Sequence, residues 1–479
     1  MTQPPARQLR RDLSSRQIAM ISLGGAIGTG LFLGSGLALS AAGPIAVAGY
    51  AVVAVVAVII AYAVAEMVSV RPEPGGFAAV THRYLGPLAG FVLRWLYWAV
   101  QVIVVGSEVV AAGIYVAYWW PGVPLWLPVA VFAALIVGVN VAAVKLFGEV
   151  EYWFAMIKVS AIAIFVLLGA LYIVVGLPGH APAGWSLWTQ PDGIAPYGLH
   201  GLWLALAVIT VSYGGVEAVA VTAAESSTPA RDLPRAARRS VARLVLFYVL
   251  AMAVVVSVVP WRTSAAGGGL QQSPFVVLFQ VVGVPAAAAL MNFVVLTAAL
   301  SAANTNLYVA ARMMHALGND GYAPRRLGQL DRRGTPVAAV LAGAAGLAVA
   351  AWISAASPGT VFPFLLGLAL FGGLSTWALI LASHYALRRR EPGTAPIRVP
   401  GAPATTGAAF VFVIAVLVTT AFFPPFATAW KVGLPAIVAL VAAYALVARR
   451  SNRTLPPVPS QPRDAAVERS HQESDSRGA

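Results

Sequence analysis

Twelve stretches of about 20 or more apolar residues, separated by polar turns and loops, limit what this chain can fold into more than any single motif does. They fall near 17–42, 44–70, 87–117, 125–144, 152–176, 200–224, 240–260, 276–311, 336–355, 359–385, 405–424 and 428–448. A bilayer core takes about 20 helical residues to cross. Lipid offers no partner to backbone that does not hydrogen-bond to itself, so the expectation is an all-α membrane protein of twelve transmembrane helices. Hydrophobic residues make up 59% of the chain and charged ones only 10%, as that class requires. Runs 87–117 and 276–311 are longer than a crossing needs and are expected to tilt or project, the later one beginning near Val284.

A net charge of +14 would suit a nucleic-acid partner if the basic residues formed one surface. Instead, all but four of the 31 Lys and Arg residues lie in the two tails and in alternate loops. Arg94 and Lys158 fall inside apolar runs, and Arg262 and Lys431 in the opposite set of loops. The positive-inside rule therefore places both termini in the cytoplasm and makes lipid, not nucleic acid, the large-scale partner of a cytoplasmic-membrane protein. The first run is longer than a signal-peptide core, and eleven more follow it. Residues 1–15 and 451–479 are polar tails, rich in Pro, Arg, Ser and Glu, and read as disordered. Without any cysteine, the chain has no disulfide, thiolate metal site or cysteine nucleophile. Its six histidines stand far apart, so no metal or other cofactor is expected, and no nucleophile, base and orienting group point to an enzyme.

Two apolar runs are broken by glycine. The first holds Gly24-Gly25-Ala26-Ile27-Gly28-Thr29-Gly30 and the sixth Ser212-Tyr213-Gly214-Gly215-Val216-Glu217. Unwound backbone at membrane depth must line a wet cavity or be buried in protein, and paired breaks point to a transporter's binding site. A break frees N–H groups on one half-helix and C=O groups on the other, carrying opposite partial charges; a zwitterion fits such a pair. N–H groups around Ala26, Ile27, Gly28, Thr29, Gly30 and Leu31 are expected to hold a substrate carboxylate. Carbonyls near Ser212, Tyr213 and Gly214, beside Gly215, are expected to take the ammonium. The alternative for the first break is helix packing, since Gly24 and Gly28, and Gly30 and Gly34, stand four apart.

An ionised group at mid-helix costs about 2.5–3.5 kcal/mol, so charges inside the runs need a reason. Lys158 can couple transport to proton flow by exchanging its proton in an enclosed site, or it snorkels to the interface. Glu217 follows the second break and reads as a proton-handling or substrate-facing carboxylate, or as a structural cap. Glu108, beside Gly106 and Ser107, either faces the cavity and substrate or is a buried structural group. Arg94 reads as an anchor at the inner interface. In the eighth run Ser301, Asn304 and Thr305, with Thr297 and Asn306, form one polar stripe, serving as a cavity wall or as interhelical hydrogen bonds. Tyr213 reads as a gate over bound ligand or as packing. Glu66 near Arg71 and Glu225 near Arg231 read as cytoplasmic closure contacts or interface charges.

The run from Met20 through Gly24-Gly25-Ala26-Ile27-Gly28-Thr29-Gly30 to Gly36 resembles the first-helix signature of bacterial amino acid permeases of the amino acid-polyamine-organocation (APC) superfamily. Gly75-Gly76-Phe77, Lys145-Leu146-Phe147-Gly148-Glu149 running to Lys158, Tyr213-Gly214-Gly215-Val216-Glu217, Ala223-Ala224-Glu225 and Arg312-Met313-Met314 resemble further landmarks of that family, in its order. The resemblance implies a five-plus-five inverted-repeat core in helices 1–10, residues 16–390, with helices 1 and 6 broken and helices 11 and 12 appended over 391–450. It also implies that Lys158 stands where an ammonium replaces the sodium ion of sodium-coupled relatives. The implied activity is proton-coupled uptake of a neutral amino acid or a γ-aminobutyrate-like zwitterion, with the proton as coupling ion. Exchange without proton coupling is the rival within transport, and a nutrient sensor without flux the remote one.

Overall fold

The computed structural model describes residues 27–70, 76–142, 144–176, 180–188, 193–217, 247–265, 273–391 and 397–450. Ala26 and the signature residues before it, Arg71, Glu225, Arg231 and both tails lie outside the described residues. Within them the architecture is all-helical. The first half comprises α1 (Thr29–Phe32), α2 (Gly34–Ala42), α3 (Ala46–Val70), α4 (Phe77–Leu85), α5 (Pro87–Val116), α6 (Trp126–Val141), α7 (Val144–Val174) and α8 (Gly198–Ser212). Then come α9 (Phe247–Val258), α10 (Trp261–Ala265), α11 (Pro274–Val281), α12 (Pro285–Asn319), α13 (Val337–Ala356), α14 (Val361–Arg390), α15 (Ala404–Thr420) and α16 (Pro424–Arg450).

Among the described residues, seven helical stretches are long and apolar enough to cross a membrane, and α6, α8, α9 and α15 are shorter apolar helices. The first long stretch, Thr29–Val70, has 42 residues and would reach about 63 Å if straight, twice the hydrocarbon thickness of about 30 Å. It is divided where Gly43 adopts φ 68° ahead of Pro44. This is a helical integral membrane protein, as the apolar runs predict.

Boundaries depart from the sequence reading in two places and follow it in a third. The run expected at 276–311 is two helices, parted at Gly283, φ 77°, and α12 starts with Pro285 in its first turn and Val284 as N-cap. The sixth run stops being helical at Ser212, where the turn through Gly215, φ 93°, begins, at the glycine break expected there. The fifth run, expected from 152, is helical from Val144. That correction puts Glu149 and Glu151 on the same helix as Lys158.

The centre is made by α5, α12 and α14. Their most apolar windows are about two-thirds buried or more, against 6% in α16, so α16 faces outward. Helix α5 packs along both α12 and α14, and α2 lies against α8. Those packings bring the start of α1, the end of α8, and the middles of α5 and α14 to one place.

Candidate substrate-binding site

Helix α1 begins at Thr29, with Gly28 extended before it. An N-terminal turn leaves N–H groups without helical partners; here the Thr29 N–H donates to both carboxylate oxygens of Glu108, each at 3.1 Å. Two residues earlier the backbone presents the opposite charge, because the Ile27 carbonyl accepts from Lys158 Nζ at 3.1 Å. Lys158 is completely buried, so its head does not snorkel. Ile27, expected among the N–H donors to a substrate carboxylate, is thus also the anchor of an ammonium.

Glycine is required at Gly30. A Cβ there would stand 2.8 Å from Ser212 Cα and 2.9 Å from Ser212 N, backbone atoms that cannot turn aside, so α1 abuts the last turn of α8. A Cβ on Gly28 would collide with the Glu108 carboxylate. Gly34 has only the Thr29 carbonyl near its Cβ position, at 3.8 Å, so the Gly30 and Gly34 pair is not a packing face. Among the described residues the closest approach of the two breaks is at Gly30.

Between these ends lies a cavity of about 730 Å³, counting its open part. Gly28, Thr29, Gly30 and Glu108 line one side, and Ser212, Gly214, Gly215 and Glu217 face it from the second break. Ser107, Thr210 and Asn306 add polar surface. Helix α14 supplies an apolar wall of Leu366, Ala369, Leu370, Gly373 and Leu374, with Trp377, while α5 adds Val100, Gln101 and Val104. Glu217 is buried and accepts from Trp377 Nε1 at 3.1 Å. The enclosure therefore has carboxylates and helix ends on one flank and hydrocarbon on the other.

Several expected site residues lie outside this lining. Leu31 is buried in the hydrophobic core. Tyr213 is buried, donates to the Tyr50 carbonyl at 2.9 Å and packs on Tyr248, ring centres 4.9 Å apart, an arrangement of packing rather than of a gate. Ser301 and Asn304 hydrogen-bond across helices, both donating to Glu151, with the Asn304 Nδ2 contact at 3.4 Å. Asn304 also accepts from Asn140 at 2.9 Å. Thr305 is buried beside them; of that stripe it is Asn306 that reaches the cavity.

Sequence reasoning missed Glu151, Gln101 and Trp377. Glu151 and Gln101 were within reach: each stands seven residues, two helical turns, before a singled-out charge on the same helix, Lys158 and Glu108. Nothing local marks Trp377, whose role depends on α14 lying against the second break.

The remaining charges brace the helix ends. Glu66, fully buried, meets His384 Nε2 at 3.0 Å, Arg388 at 3.3 Å and the Val399 N–H at 2.8 Å, partners other than the expected Arg71. Arg94 pairs with Asp320 and lies over the Tyr322 ring, 6.0 Å from its centre.

A helical membrane protein whose two helix breaks border one cavity lined by helix ends and carboxylates is, in class, a solute transporter. This chain belongs to the amino acid permease family, whose profile matches residues 17–455. It is 38% identical to the uncharacterized amino acid permease YtnA of Bacillus subtilis over 92% of this chain and 96% of that one. It is 38% identical to the aromatic amino acid transport protein AroP of Escherichia coli K12, over 81% and 84%. The γ-aminobutyric acid permease of B. subtilis is 37% identical over 86% and 88%. The protein is an amino acid permease of the cell membrane, and not an enzyme.

Proposed function

We propose that this permease takes up a neutral, zwitterionic amino acid together with a proton, by alternating access around the cavity between α1, α5, α8 and α14. The observation that carries the reading is the Glu108 carboxylate on the Thr29 N–H: a side chain holds the helix-end donor that a substrate carboxylate needs. Binding of substrate then displaces Glu108, and a proton on Glu108 makes that displacement cheap, because an ionised carboxylate loses its partner at high cost in low dielectric. Lys158 fixes the carbonyl side of the same break, and Glu217 with Trp377 closes the other flank. The ammonium falls to the turn after Ser212.

The apolar wall of α14 suits a hydrophobic side chain, as would be carried by substrates of the kind AroP is named for; a linear zwitterion such as γ-aminobutyrate leaves that wall empty. An aromatic or large aliphatic amino acid is therefore the favoured cargo. The reading includes twelve spans, a five-plus-five repeat in the first ten and both termini in the cytoplasm, supported by the seven long and four shorter apolar helices, the division at Gly43 and the loop charges.

Uptake of labelled L-phenylalanine into proteoliposomes, compared with γ-aminobutyrate, tests the proposal. Uptake should collapse with an uncoupler and with Glu108→Gln, Glu217→Gln or Lys158→Met. Uptake indifferent to the uncoupler and dependent on internal substrate would make the protein an exchanger.

A further inference from the structure

Glu151 takes no part in the site just described, yet it is fully buried inside a membrane helix, where a carboxylate needs a reason. Its surroundings have a direction. Towards the cavity, Lys158 stands two turns along α7 and interacts electrostatically with both Glu151 and Glu108. Away from it, Glu151 accepts from Ser301 and Asn304 of α12, and Asn304 holds Asn140 of α6. Asn140 in turn lines a second, smaller recess of about 280 Å³ with Tyr308, Arg312 and Thr335. The Asn140 Oδ1 is buried without a hydrogen-bond partner among the described residues, an acceptor placed at the join between carboxylate and recess. By contrast Glu149, two residues before Glu151, is exposed and accepts from Trp153.

Charge counting gives this line of groups a function. Two carboxylates and one ammonium in a contiguous buried site leave one uncompensated negative charge, which one proton neutralises. The charged group acting on Glu151 is Lys158 on its own helix, with Glu108 of α5 acting through Lys158. Helix α12 faces it with the neutral Ser301 and Asn304, then Tyr308 and Arg312 at the recess; α6 contributes Asn140.

We infer that Glu151 is the inward proton acceptor of the transport cycle, receiving through Lys158 the proton that enters on Glu108 and giving it up to water on the side of the recess that Asn140 lines. In the transfer the Lys158 ammonium gives a proton to the Glu151 carboxylate and regains one from the Glu108 carboxylic acid, so that only O–H and N–H bonds break and form and Lys158 ends as it began. The inference rests on the proton-coupled reading above.

The test uses the full chain in proteoliposomes with a dye reporting internal pH. Wild-type protein that accumulates labelled phenylalanine without moving protons would count against proton coupling itself, and so against the earlier reading. Given coupled wild-type transport, Glu151→Gln should lower gradient-driven accumulation about tenfold or more and abolish substrate-induced proton entry, while phenylalanine counterflow persists. Accumulation equal to wild type, or equal loss of accumulation and counterflow, overturns the inference; the second result makes Glu151 only a neutraliser of Lys158. Should Glu151→Gln fail to fold, Asn140→Leu keeps the Glu151 and Lys158 pair and puts hydrocarbon between Glu151 and water in the recess. It should slow proton entry and shift the pH profile of uptake, and an unchanged profile refutes the path.

Discussion

Gly28 and Gly30 are two residues apart and face different kinds of obstacle, which separates their expected effects. At Gly30 an added methyl meets the backbone of Ser212 and Val211, and overpacking against atoms that cannot turn aside costs about 1–3 kcal/mol. Gly30→Ala should lower the thermal midpoint in detergent and abolish transport. At Gly28 the obstacle is the movable Glu108 carboxylate, so Gly28→Ala should cost less stability but break the Thr29 contact and alter substrate affinity. Equal midpoints for the two variants would contradict the close approach of α1 and α8. Lys158, Glu108 and Glu217 were legible because charge is conspicuous in an apolar run. Glu151 escaped through the misplaced start of its helix: read as loop, a carboxylate needs no partner. The α14 wall was illegible for another reason, since Leu366, Gly373 and Leu374 look like any other lipid-spanning residues until packing shows which face turns inward.

At the scale of elements, Glu66 ties α3 to α14 and to the segment before α15 through His384, Arg388 and Val399. Removing one member of a buried ionic cluster leaves the others uncompensated, at about 3–5 kcal/mol. Glu66→Ala should therefore lower the unfolding midpoint in nanodiscs by far more than Arg388→Ala, whose side chain is partly exposed; similar small shifts for both would deny the cluster a bracing role. Between α4 and α5 the effect should be one of pH. Burial, and then the Arg94 charge, hold His82 below the usual histidine range, so the folded state binds its proton less readily than the unfolded chain. Its contribution is present above about pH 6.5 and is lost as pH falls below that value. His82→Asn should flatten the fall in thermal midpoint on acidification from neutral pH, and an unaltered slope would remove His82 from the account. Helix identity was legible here from apolar length, whereas α4 was not: nine residues between Gly76 and Gly86 fall short of a crossing and give hydropathy nothing to detect.

At the scale of the whole molecule, the proposed proton symport moves charge, and that fixes how much substrate it can accumulate. A zwitterion entering with one proton carries one net charge, so about 100 mV contributes about 2.3 kcal/mol and one pH unit about 1.4 kcal/mol. Together these sustain a gradient of about several hundredfold; alone, the potential sustains about fiftyfold and the pH difference about tenfold. Proteoliposomes loaded to impose each gradient separately should show those three plateaux in that order. An exchanger of one zwitterion for another moves no net charge and would give plateaux that follow internal substrate and ignore both gradients. The direction of the imposed gradient matters as well, because the loop charges predict one orientation of the chain, with both termini in the cytoplasm. With no native cysteine, a single cysteine in place of the exposed Trp185 can be labelled without background, and it should react from the outer side only. Reconstituted protein sorted by that label should accumulate substrate when the outside is acidic and the inside negative. If vesicles with Trp185→Cys labelled from within accumulate under that same gradient, the positive-inside assignment is reversed while the coupling arithmetic stands.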